Sequence, residues 1–304
     1  MTKTGSPARR SEVATTHLMT LLTSRQTSAL AFTTILFLIL FRRSSRFRYI
    51  AKMLGFTLAG VIASLVGITV SPVMWLLKKP GLTNWIVART MLRIAPWLCG
   101  MNVRIEGQEH LSQKELPAVL VCNHQSSLDI LGMGAILPPN VVVMGKKSIK
   151  YVPILGWFMT LANNVFIDRK NRGHAMETMA RIAVYLKEHK YGLWLFPEGT
   201  RSHQIDDTLL PFKKGAFHLA VQGQIPVIPI VFSTYYPCYH QQKKVFDRGT
   251  ITIKVLEPID TTGLSTSDVD ALLERTRNAM LDALKTIRTI PLTDSRSTES
   301  KKLK

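Results

Sequence analysis

The feature that most constrains the fold of this chain is a run of 25 residues, 53–77, without a charged side chain. It reads MLGFTLAGVIASLVGITVSPVMWLL and is closed by Lys78 and Lys79. As a helix at ~1.5 Å per residue it extends ~37 Å, more than the ~30 Å hydrocarbon core of a bilayer. Trp75 lies where an interfacial aromatic residue is expected. The run predicts a membrane-associated helix, in preference to a buried core helix, which is usually shorter and has a polar edge.

A second apolar stretch, residues 26–41, has 16 residues, or ~24 Å as a helix. This length allows a short span, the hydrophobic region of a signal peptide, or a helix in the membrane interface. No small-residue cleavage site follows, which favours a retained anchor. A basic loop joins the two stretches (Arg42, Arg43, Arg46, Arg48 and Lys52). We expect membrane-anchoring helices within residues 26–80, after a polar, basic segment 1–25; the membrane face of the remaining chain stays open.

The charge of the chain is strongly positive, with 39 lysine and arginine residues against 20 acidic residues and a net charge of +19. This excess indicates an anionic partner: nucleic acid, phospholipid headgroups or a phosphorylated substrate. The sequence has no zinc-finger spacing, RNP-like strand or Gly-rich KH loop, and its basic residues are scattered among apolar segments. Nucleic acid is therefore not the expected partner. The three cysteines lack C-x-x-C spacing, which argues against a disulfide framework or a zinc site.

Residues 90–288 alternate between short apolar runs and amphipathic stretches, which predicts one domain of the α/β class. We expect a mostly parallel, helix-covered sheet, preceded by the N-terminal membrane helices and followed by a flexible polar tail at 289–304. The predicted strands are residues 102–106, 118–122, 141–144, 165–167, 193–196, 227–232 and 250–256. The predicted helices are residues 126–136, 172–189, 214–222 and 267–288, the last with Ser267 as its N-cap.

Polar clusters follow three of the predicted strands: NHQSSLD after 118–122, DRK after 165–167 and PEGTRS after 193–196. In parallel sheets ligands bind at the carboxyl ends of the strands. We therefore expect the three clusters to converge on one site.

His124 and Asp129 are the candidate catalytic residues in NHQSSLD. The Asp129 carboxylate can bond one ring nitrogen of His124, fixing the tautomer and stabilising the imidazolium that forms during proton transfer. The sequence has no G-x-S-x-G elbow, and Ser126 and Ser127 look like residues of a first helical turn. A dyad without a protein nucleophile fits the activation of a substrate hydroxyl. The alternative is that Asn123 merely ends the strand and that Asp129 is a solvated helix residue.

The turn FPEGTRS is a candidate anion site. Its Gly199 permits close backbone approach, the Thr200 hydroxyl can donate a hydrogen bond, and the Arg201 guanidinium matches phosphate geometry. Glu198 can orient the arginine or bond a substrate hydroxyl; alternatively this is an ordinary polar turn with an internal Glu–Arg pair.

Two further basic residues are candidates for the same site. Lys213 can extend the anionic pocket, and Arg169 can reach the phosphate or pair with Asp168. The histidines show no metal-ligand spacing, and P-loop and G-x-G-x-x-G motifs are missing from the sequence, so neither a metal nor a nucleotide cofactor is expected.

Four motifs, NHQSSLD, VFIDRK, FPEGTRS and VIPIVFS, occur in this order over roughly residues 90–260. Together they resemble the glycerolipid acyltransferase family, and above all the eukaryotic 1-acyl-sn-glycerol-3-phosphate acyltransferases. NH-x-x-x-x-D alone is a weak signal, whereas four ordered motifs behind an apolar segment are a strong one. One departure is ANNVFIDR, where Asn163 and Asn164 replace the small, glycine-containing stretch that is frequent in the family.

The resemblance implies transfer of a fatty acyl group from acyl-CoA, a co-substrate and not a resident cofactor, to the 2-hydroxyl of lysophosphatidic acid. His124 then becomes the general base, Asp129 its orienter, and Glu198, Gly199, Thr200 and Arg201 the glycerol phosphate site, with Arg169 as helper. It also implies a phospholipid membrane as partner, in eukaryotes the endoplasmic reticulum. Alternatives are another lysophospholipid or glycerol 3-phosphate as acceptor, a membrane-bound acyl-CoA or lysolipid hydrolase, or a non-catalytic lipid-binding protein.

Overall fold

A computed structural model describes the backbone of residues 7–111, 116–168 and 172–292, and the side chains of the same ranges except 7–24 and 172–176. The chain divides after Ala51 into two compact units. The first contains helix α1 (Pro7–Arg43) and the start of helix α2 (Ser45–Leu76); the second contains everything that follows.

In the first unit the predicted apolar stretch 26–41 lies within α1, and the predicted basic loop is wrong, because only Ser44 separates the two helices. The Ser44 hydroxyl accepts a hydrogen bond from the Phe47 N–H (3.2 Å), as a helix N-cap does. Arg48 donates back to the Phe41 carbonyl (3.2 Å). The basic residues therefore lie on helix ends.

From residue 52 onward α2 belongs to the second unit, with one face packed on the rest of that unit and one apolar face exposed. The buried face includes Ala59, Ala63 and Gly67, and the exposed face consists mostly of leucine, isoleucine and valine (Leu54, Leu58, Ile62, Leu65 and Val73). A Cβ at Gly67 would clash with the ring of Phe158, so the two segments are in direct contact. Within the described part of the chain, α2 alone is long and apolar enough to cross a membrane.

The second unit is built on an eight-stranded sheet that contains all seven predicted strands. The strands are β1 (Met101–Glu106), β2 (Val119–Cys122), β3 (Val141–Lys146), β4 (Val165–Ile167), β5 (Gly192–Leu195), β6 (Val227–Phe232), β9 (Gly249–Val255) and β10 (Ile290–Pro291); β7 (Tyr239–His240) and β8 (Val245–Phe246) form a separate hairpin. The order is β1-β9-β6-β2-β5-β3-β4, with β10 beside β9. Strands β6, β2, β5, β3 and β4 are parallel, and β9 is antiparallel to β6. The predicted mostly parallel α/β sheet is confirmed.

Helices cover both faces of this sheet: α3 (Leu82–Cys99), α4 (Asp129–Ile136), α5 (Leu155–Leu161), α6 (Arg172–His189), α7 (Gly215–Gly223) and α8 (Val269–Thr286). Side chains of α6, α7 and α8 pack with Val119, Val121 and Leu193 into a core on one face. On the other face α4 lies so close to β6 that a Cβ at Gly132 would press on Phe232. α3 is joined to the start of β3, since the Asn84 amide donates to the Val141 carbonyl (3.1 Å).

Several boundaries differ from those predicted. The domain begins before residue 90, since α3 starts at Leu82, and α5 and the β7–β8 hairpin were not predicted. Ser265, not Ser267, starts the last helical segment, in a capping box with Asp268. The tail does not become free at 289, because Ile290–Pro291 pairs antiparallel with β9; residues 293–304 lie outside the described residues.

Candidate active site

The segment Asn123–Leu128 connects β2 to α4, and Asn123 closes the strand as the alternative interpretation proposed. Its amide nitrogen donates to the Phe232 carbonyl (3.0 Å), and the Phe232 N–H donates to its amide oxygen (2.8 Å). The side chain thereby continues the ladder between β2 and β6 by one residue. This anchor fixes where the next residue, His124, emerges at the carboxyl edge of the sheet.

Asp129 is fully buried and faces His124, so its description as a solvated helix residue is wrong. Its carboxylate is hydrogen-bonded to Nδ1 of His124, and it accepts the N–H groups of Gln125 (2.9 Å) and Ser126 (3.2 Å). The Tyr235 hydroxyl donates to Oδ1 (2.6 Å). Four partners thus hold one carboxylate in a single orientation behind the imidazole.

The remaining ring nitrogen of His124, Nε2, is left for a ligand. The imidazole stacks on the ring of Phe196, with 4.0 Å between centroids and 18° between planes, and its side chain is partly exposed. Because Asp129 occupies Nδ1, the neutral tautomer carries its proton there and Nε2 has the free lone pair. This arrangement can accept a proton from a substrate group.

The second cluster, PEGTRS, meets the first because β5 is the neighbour of β2. Ser202 and His203 donate their backbone N–H groups to the carbonyls of His124 (2.8 Å) and Gln125 (3.2 Å). In return the His124 N–H donates to Glu198 Oε1 (2.7 Å). The two strand ends therefore form one continuous hydrogen-bonded site, as predicted for these two clusters.

Glu198 is buried within this site and does not face the surface of the turn. Its second oxygen accepts the Leu210 N–H (3.3 Å), so both carboxyl oxygens contact main chain. Burial raises the pKa of the Glu198 carboxyl from 4.5 to about 7, with hydrogen bonds from His124 and Leu210 opposing the shift. Through these contacts Glu198 holds the His124 backbone, and they differ from the predicted pair with Arg201; a bond from Glu198 to a substrate hydroxyl stays a prediction.

The outer part of the turn presents its polar groups to solvent. Gly199 has a φ of 72°, and Thr200 and Arg201 are exposed. In the described part of the chain the Arg201 guanidinium has no hydrogen-bonding or ionic partner, so it is available to an anion. Lys213 is also exposed. Its backbone N–H donates to the Pro197 carbonyl (2.8 Å), and this bond fixes the Lys213 backbone beside the turn. Lys214 is instead paired with Asp270 (2.7 Å).

The third predicted cluster does not join the other two within the described residues. Strand β4 is at the sheet edge, separated from β5 by β3, and Asp168 pairs with Lys147 (3.2 Å). Arg169 lies outside the described residues. The asparagines before β4 are explained locally: Asn163 has a φ of 56°, which asparagine tolerates better than most residues. Asn164 accepts the Val143 N–H (2.7 Å).

The side chains nearest the dyad offer no activated nucleophile. Cys122 is fully buried, and burial raises the pKa of its thiol well above the usual range, so the thiolate is not formed there. Ser126 is buried and its hydroxyl oxygen accepts the Leu128 N–H (3.0 Å), which caps the turn before α4. Of the described residues, Cys122 and Ser126 are therefore not activated nucleophiles for this dyad.

Two residues of the site were not predicted, Gln125 and Tyr235. The Gln125 amide donates to the carbonyls of Phe232 and Ser233 (both 3.0 Å), and its oxygen accepts the Tyr235 N–H (3.2 Å). Both residues also line a small, open cleft together with His203 and Tyr239. The one signal in the sequence is that Tyr235 follows the VIPIVFS strand closely. That signal points to the site only if β6 is known to lie beside β2.

Comparison with known proteins identifies the class of molecule that this sheet and site belong to. The family model described as Acyltransferase matches residues 102–233, which span the chain from β1 to the end of β6. The 1-acyl-sn-glycerophosphate (LPA) acyltransferase PlsC from Thermotoga maritima has the same fold, with a TM-score of 0.54 and 22% identity over 76% of this chain and 98% of that one. The molecule is thus an α/β acyltransferase.

Curated relatives narrow the class further. The 1-acyl-sn-glycerol-3-phosphate acyltransferase of Saccharomyces cerevisiae is 40% identical over 80% of this chain and 79% of its own length. The human alpha enzyme of that name is 41% identical over 68% of this chain and 72% of its own length. The human beta enzyme is 36% identical over 83% of this chain and 88% of its own length. The chain belongs to the 1-acyl-sn-glycerol-3-phosphate acyltransferase family, of the eukaryotic type, and the resemblance of its four motifs is confirmed.

Proposed function

We propose that the protein transfers a fatty acyl group from acyl-CoA to the sn-2 hydroxyl of lysophosphatidic acid, giving phosphatidic acid. The observation that carries the proposal is the His124–Asp129 pair, in which a buried carboxylate holds Nδ1 and leaves Nε2 for a substrate hydroxyl. The names of the relatives, 1-acyl-sn-glycerol-3-phosphate acyltransferases, support this acceptor. The dyad has a base, His124, but Cys122 and Ser126 beside it are not activated nucleophiles. This fits direct transfer of the acyl group from one substrate to the other.

In the proposed reaction Nε2 of His124 takes the proton of the acceptor hydroxyl as its oxygen attacks the thioester carbonyl. The C–O bond forms, the C–S bond breaks, and the imidazolium returns the proton to the departing CoA thiolate. Asp129 stabilises the imidazolium between these steps. Glu198 acts indirectly, because its carboxyl holds the backbone N–H of His124.

The phosphate of the acceptor is the proposed partner of the exposed turn. Arg201 supplies the guanidinium, the Thr200 hydroxyl and the Gly199 backbone lie beside it, and Lys213 adds a second positive charge. Arg169 remains a predicted helper. Glycerol 3-phosphate has the same phosphate, so charge alone does not separate it from a lysophospholipid acceptor.

The protein is proposed to act at a membrane. In a eukaryotic cell this would be the membrane of the endoplasmic reticulum. The support from this chain is the exposed apolar face of α2 and the net charge of +19, which suits an anionic lipid surface. The packed face of α2 lies along α3 and α5: a Cβ at Gly67 would meet both Val87 and Phe158. A helix attached along its side favours lying in the interface over spanning the bilayer alone.

The experiment that tests the function is an acceptor panel. Purified full-length protein in detergent receives labelled oleoyl-CoA with lysophosphatidic acid, lysophosphatidylcholine, glycerol 3-phosphate or no acceptor, and the lipid products are separated. We expect phosphatidic acid in the first reaction, and most of the activity to disappear when the acceptor lacks its phosphate monoester. Release of free fatty acid in the reaction without acceptor would instead identify a hydrolase. Acylated product with glycerol 3-phosphate, and none with lysophosphatidic acid, would show that glycerol 3-phosphate is the acceptor.

The anion site has its own control. Arg201→Lys keeps the charge but loses the two-pronged geometry, and is expected to raise the KM for lysophosphatidic acid more than the KM for oleoyl-CoA. Lys214→Gln removes a neighbouring charge that is already paired with Asp270, and is expected to leave both unchanged.

A further inference from the structure

The connection between β3 and β4, residues 147–164, exposes large apolar side chains on the surface of the domain. It consists of a 3-10 turn (Lys147–Tyr151), an extended segment and α5. Tyr151 is 75% exposed and Trp157 58% exposed, and Val152 and Leu161 are also exposed. Contiguous exposed apolar residues on a folded domain mark a contact surface.

Lysines lie at one end of this apolar surface. Lys146, at the end of β3, and Lys150, in the 3-10 turn, are exposed, whereas Lys147 is paired with Asp168. An aromatic and aliphatic centre beside free lysines is the composition of segments that lie on anionic phospholipid, because the rings enter the headgroup region and the ammonium groups meet lipid phosphates.

The β3–β4 connection is continuous with the apolar face of α2. The indole N–H of Trp75, near the end of α2, donates to the Leu161 carbonyl at the end of α5 (3.1 Å). Phe158 of α5 fills the space over Gly67 of α2. A bilayer that covers the exposed face of α2 would therefore also meet α5, which is packed directly against that helix.

The backbone of the connection is held in one shape. Ile154 has a φ of 64°, which is costly for a β-branched residue. A Cβ at Gly156 would collide with the carbonyls of Ile149 and Lys150, so α5 is packed tightly on the 3-10 turn. Rigid presentation keeps Tyr151 and Trp157 exposed, although folding inward would remove them from water.

The connection also begins at the edge of the sheet that carries the active site. Strand β3 is parallel to β5, with Val143 opposite Trp194, so the end of β3 and the end of β5 lie at the same edge. The end of β5 leads directly into Phe196, Pro197 and Glu198 of the site. The start of the connection therefore lies at the same edge of the sheet as the site.

We propose that the β3–β4 connection is a membrane-contacting surface for an anionic phospholipid bilayer, through which a lipid acceptor passes from the bilayer to the active site. The contact with the bilayer rests on the exposed side chains and on α2; the delivery of the acceptor rests additionally on the proposed function. The proposal is separate from the N-terminal anchor, because it concerns residues of the catalytic domain itself.

A polarity-sensitive fluorophore on Trp157→Cys tests the contact directly in the full-length protein. The three native cysteines are buried, so labelling is directed to the new one. Val184→Cys is the matched control, since Val184 is 56% exposed but lies on α6, on the opposite face of the sheet. Both proteins are reconstituted into phosphatidylcholine vesicles with and without phosphatidylserine, and with brominated acyl chains as quencher.

We expect a blue-shifted emission at position 157 that brominated lipid quenches at least about twofold more than at position 184, and more strongly with phosphatidylserine. Equal quenching at the two positions overturns the proposal. A blue shift that increases with protein density but is not quenched by lipid also overturns it, because a second copy of the chain then covers the surface.

Acceptor delivery is tested with the double variant Tyr151→Ser/Trp157→Ser. Its expected effect is a roughly tenfold lower rate with long-chain lysophosphatidic acid in vesicles and an unchanged rate with a short-chain, water-soluble analogue. Equal losses with both acceptors overturn the delivery role. Failure of the wild-type protein with both acceptors instead rejects the proposed function, while the fluorescence result still decides the contact.

Discussion

At the scale of single residues, the site depends on one buried carboxylate whose hydrogen bonds converge from distant parts of the chain. We expect Tyr235→Phe to lower the free energy of unfolding by about 1–3 kcal/mol, because Asp129 loses its hydroxyl donor. The same change should lower kcat roughly tenfold, equivalent to about 1.4 kcal/mol of transition-state stabilisation.

Thermal unfolding and initial rates measure the two effects of Tyr235→Phe. The neighbouring Tyr236→Phe is the control, since that tyrosine is exposed and its ring lies under the Lys243 ammonium (5.0 Å to the centroid). Equal behaviour of the two variants would show that the hydroxyl of Tyr235 does not support the dyad.

Glu198 gives the protein a specific dependence of stability on pH. Its folded-state pKa of about 7 lies above the 4.5 of an ordinary glutamate, so both states are protonated below about pH 4.5. Between pH 4.5 and 7 the unfolded chain releases this proton while the folded chain keeps it, so stability falls as pH rises, by on the order of 3 kcal/mol. Above pH 7 the contribution is constant.

Glu198→Gln mimics the protonated carboxyl and is expected to flatten this fall between pH 4.5 and 7, measured as melting temperature against pH. Glu274→Gln, at an exposed glutamate of α8, should leave the slope as in the wild type. An unchanged slope in Glu198→Gln would contradict the assignment of the titrating group to Glu198.

Residue-level reasoning from sequence predicted the contact of His124 with Asp129, because both residues lie within one motif of seven positions, and it predicted that this motif meets the PEGTRS turn. It misplaced the contacts of Glu198 and missed Gln125 and Tyr235. Their partners are 74 to 110 residues away along the chain, and no local pattern encodes such pairs.

At the scale of elements, the packing of α2 against α5 depends on one small residue. We expect Gly67→Ala to destabilise the protein by about 1–3 kcal/mol, since the added methyl group collides with the buried ring of Phe158. Gly60→Ala in the same helix meets nothing within 4 Å and should stabilise it by up to about 1 kcal/mol.

The pair of glycine variants is compared by thermal unfolding in the same detergent, so that changes in helix propensity cancel. Equal effects at the two positions would mean that α2 is not packed on α5 in solution.

Hydrophobic patterning predicted every strand of the parallel sheet, because these strands are short, β-branched and bounded by turns. It failed for α5, whose seven residues are too short for a helical period, and for α3, whose start was hidden by the preceding apolar run. The predicted cap was Ser267, whereas the structure has Ser265. Several serines and threonines precede α8, and only the backbone geometry shows which of them is the cap.

At the scale of the whole molecule, the order of the strands decides which polar clusters meet. Strand β5 lies beside β2, which joins NHQSSLD to PEGTRS, whereas β3 separates β4 from both. The sequence predicts that the strands are parallel but not their order, since pairing between distant segments leaves no local trace. For the same reason the contact of α2 with α3 and α5 was not predictable from its hydropathy.

His124, held by Asp129, is the proposed base that activates an acceptor hydroxyl for acyl transfer. The most direct test compares wild type and His124→Ala, matched for melting temperature, in forming phosphatidic acid from oleoyl-CoA and lysophosphatidic acid. We expect the variant to be at least ~100-fold slower, because it lacks the general base. A rate equal to that of the wild type would contradict it and leave His124 as a structural residue at the end of β2.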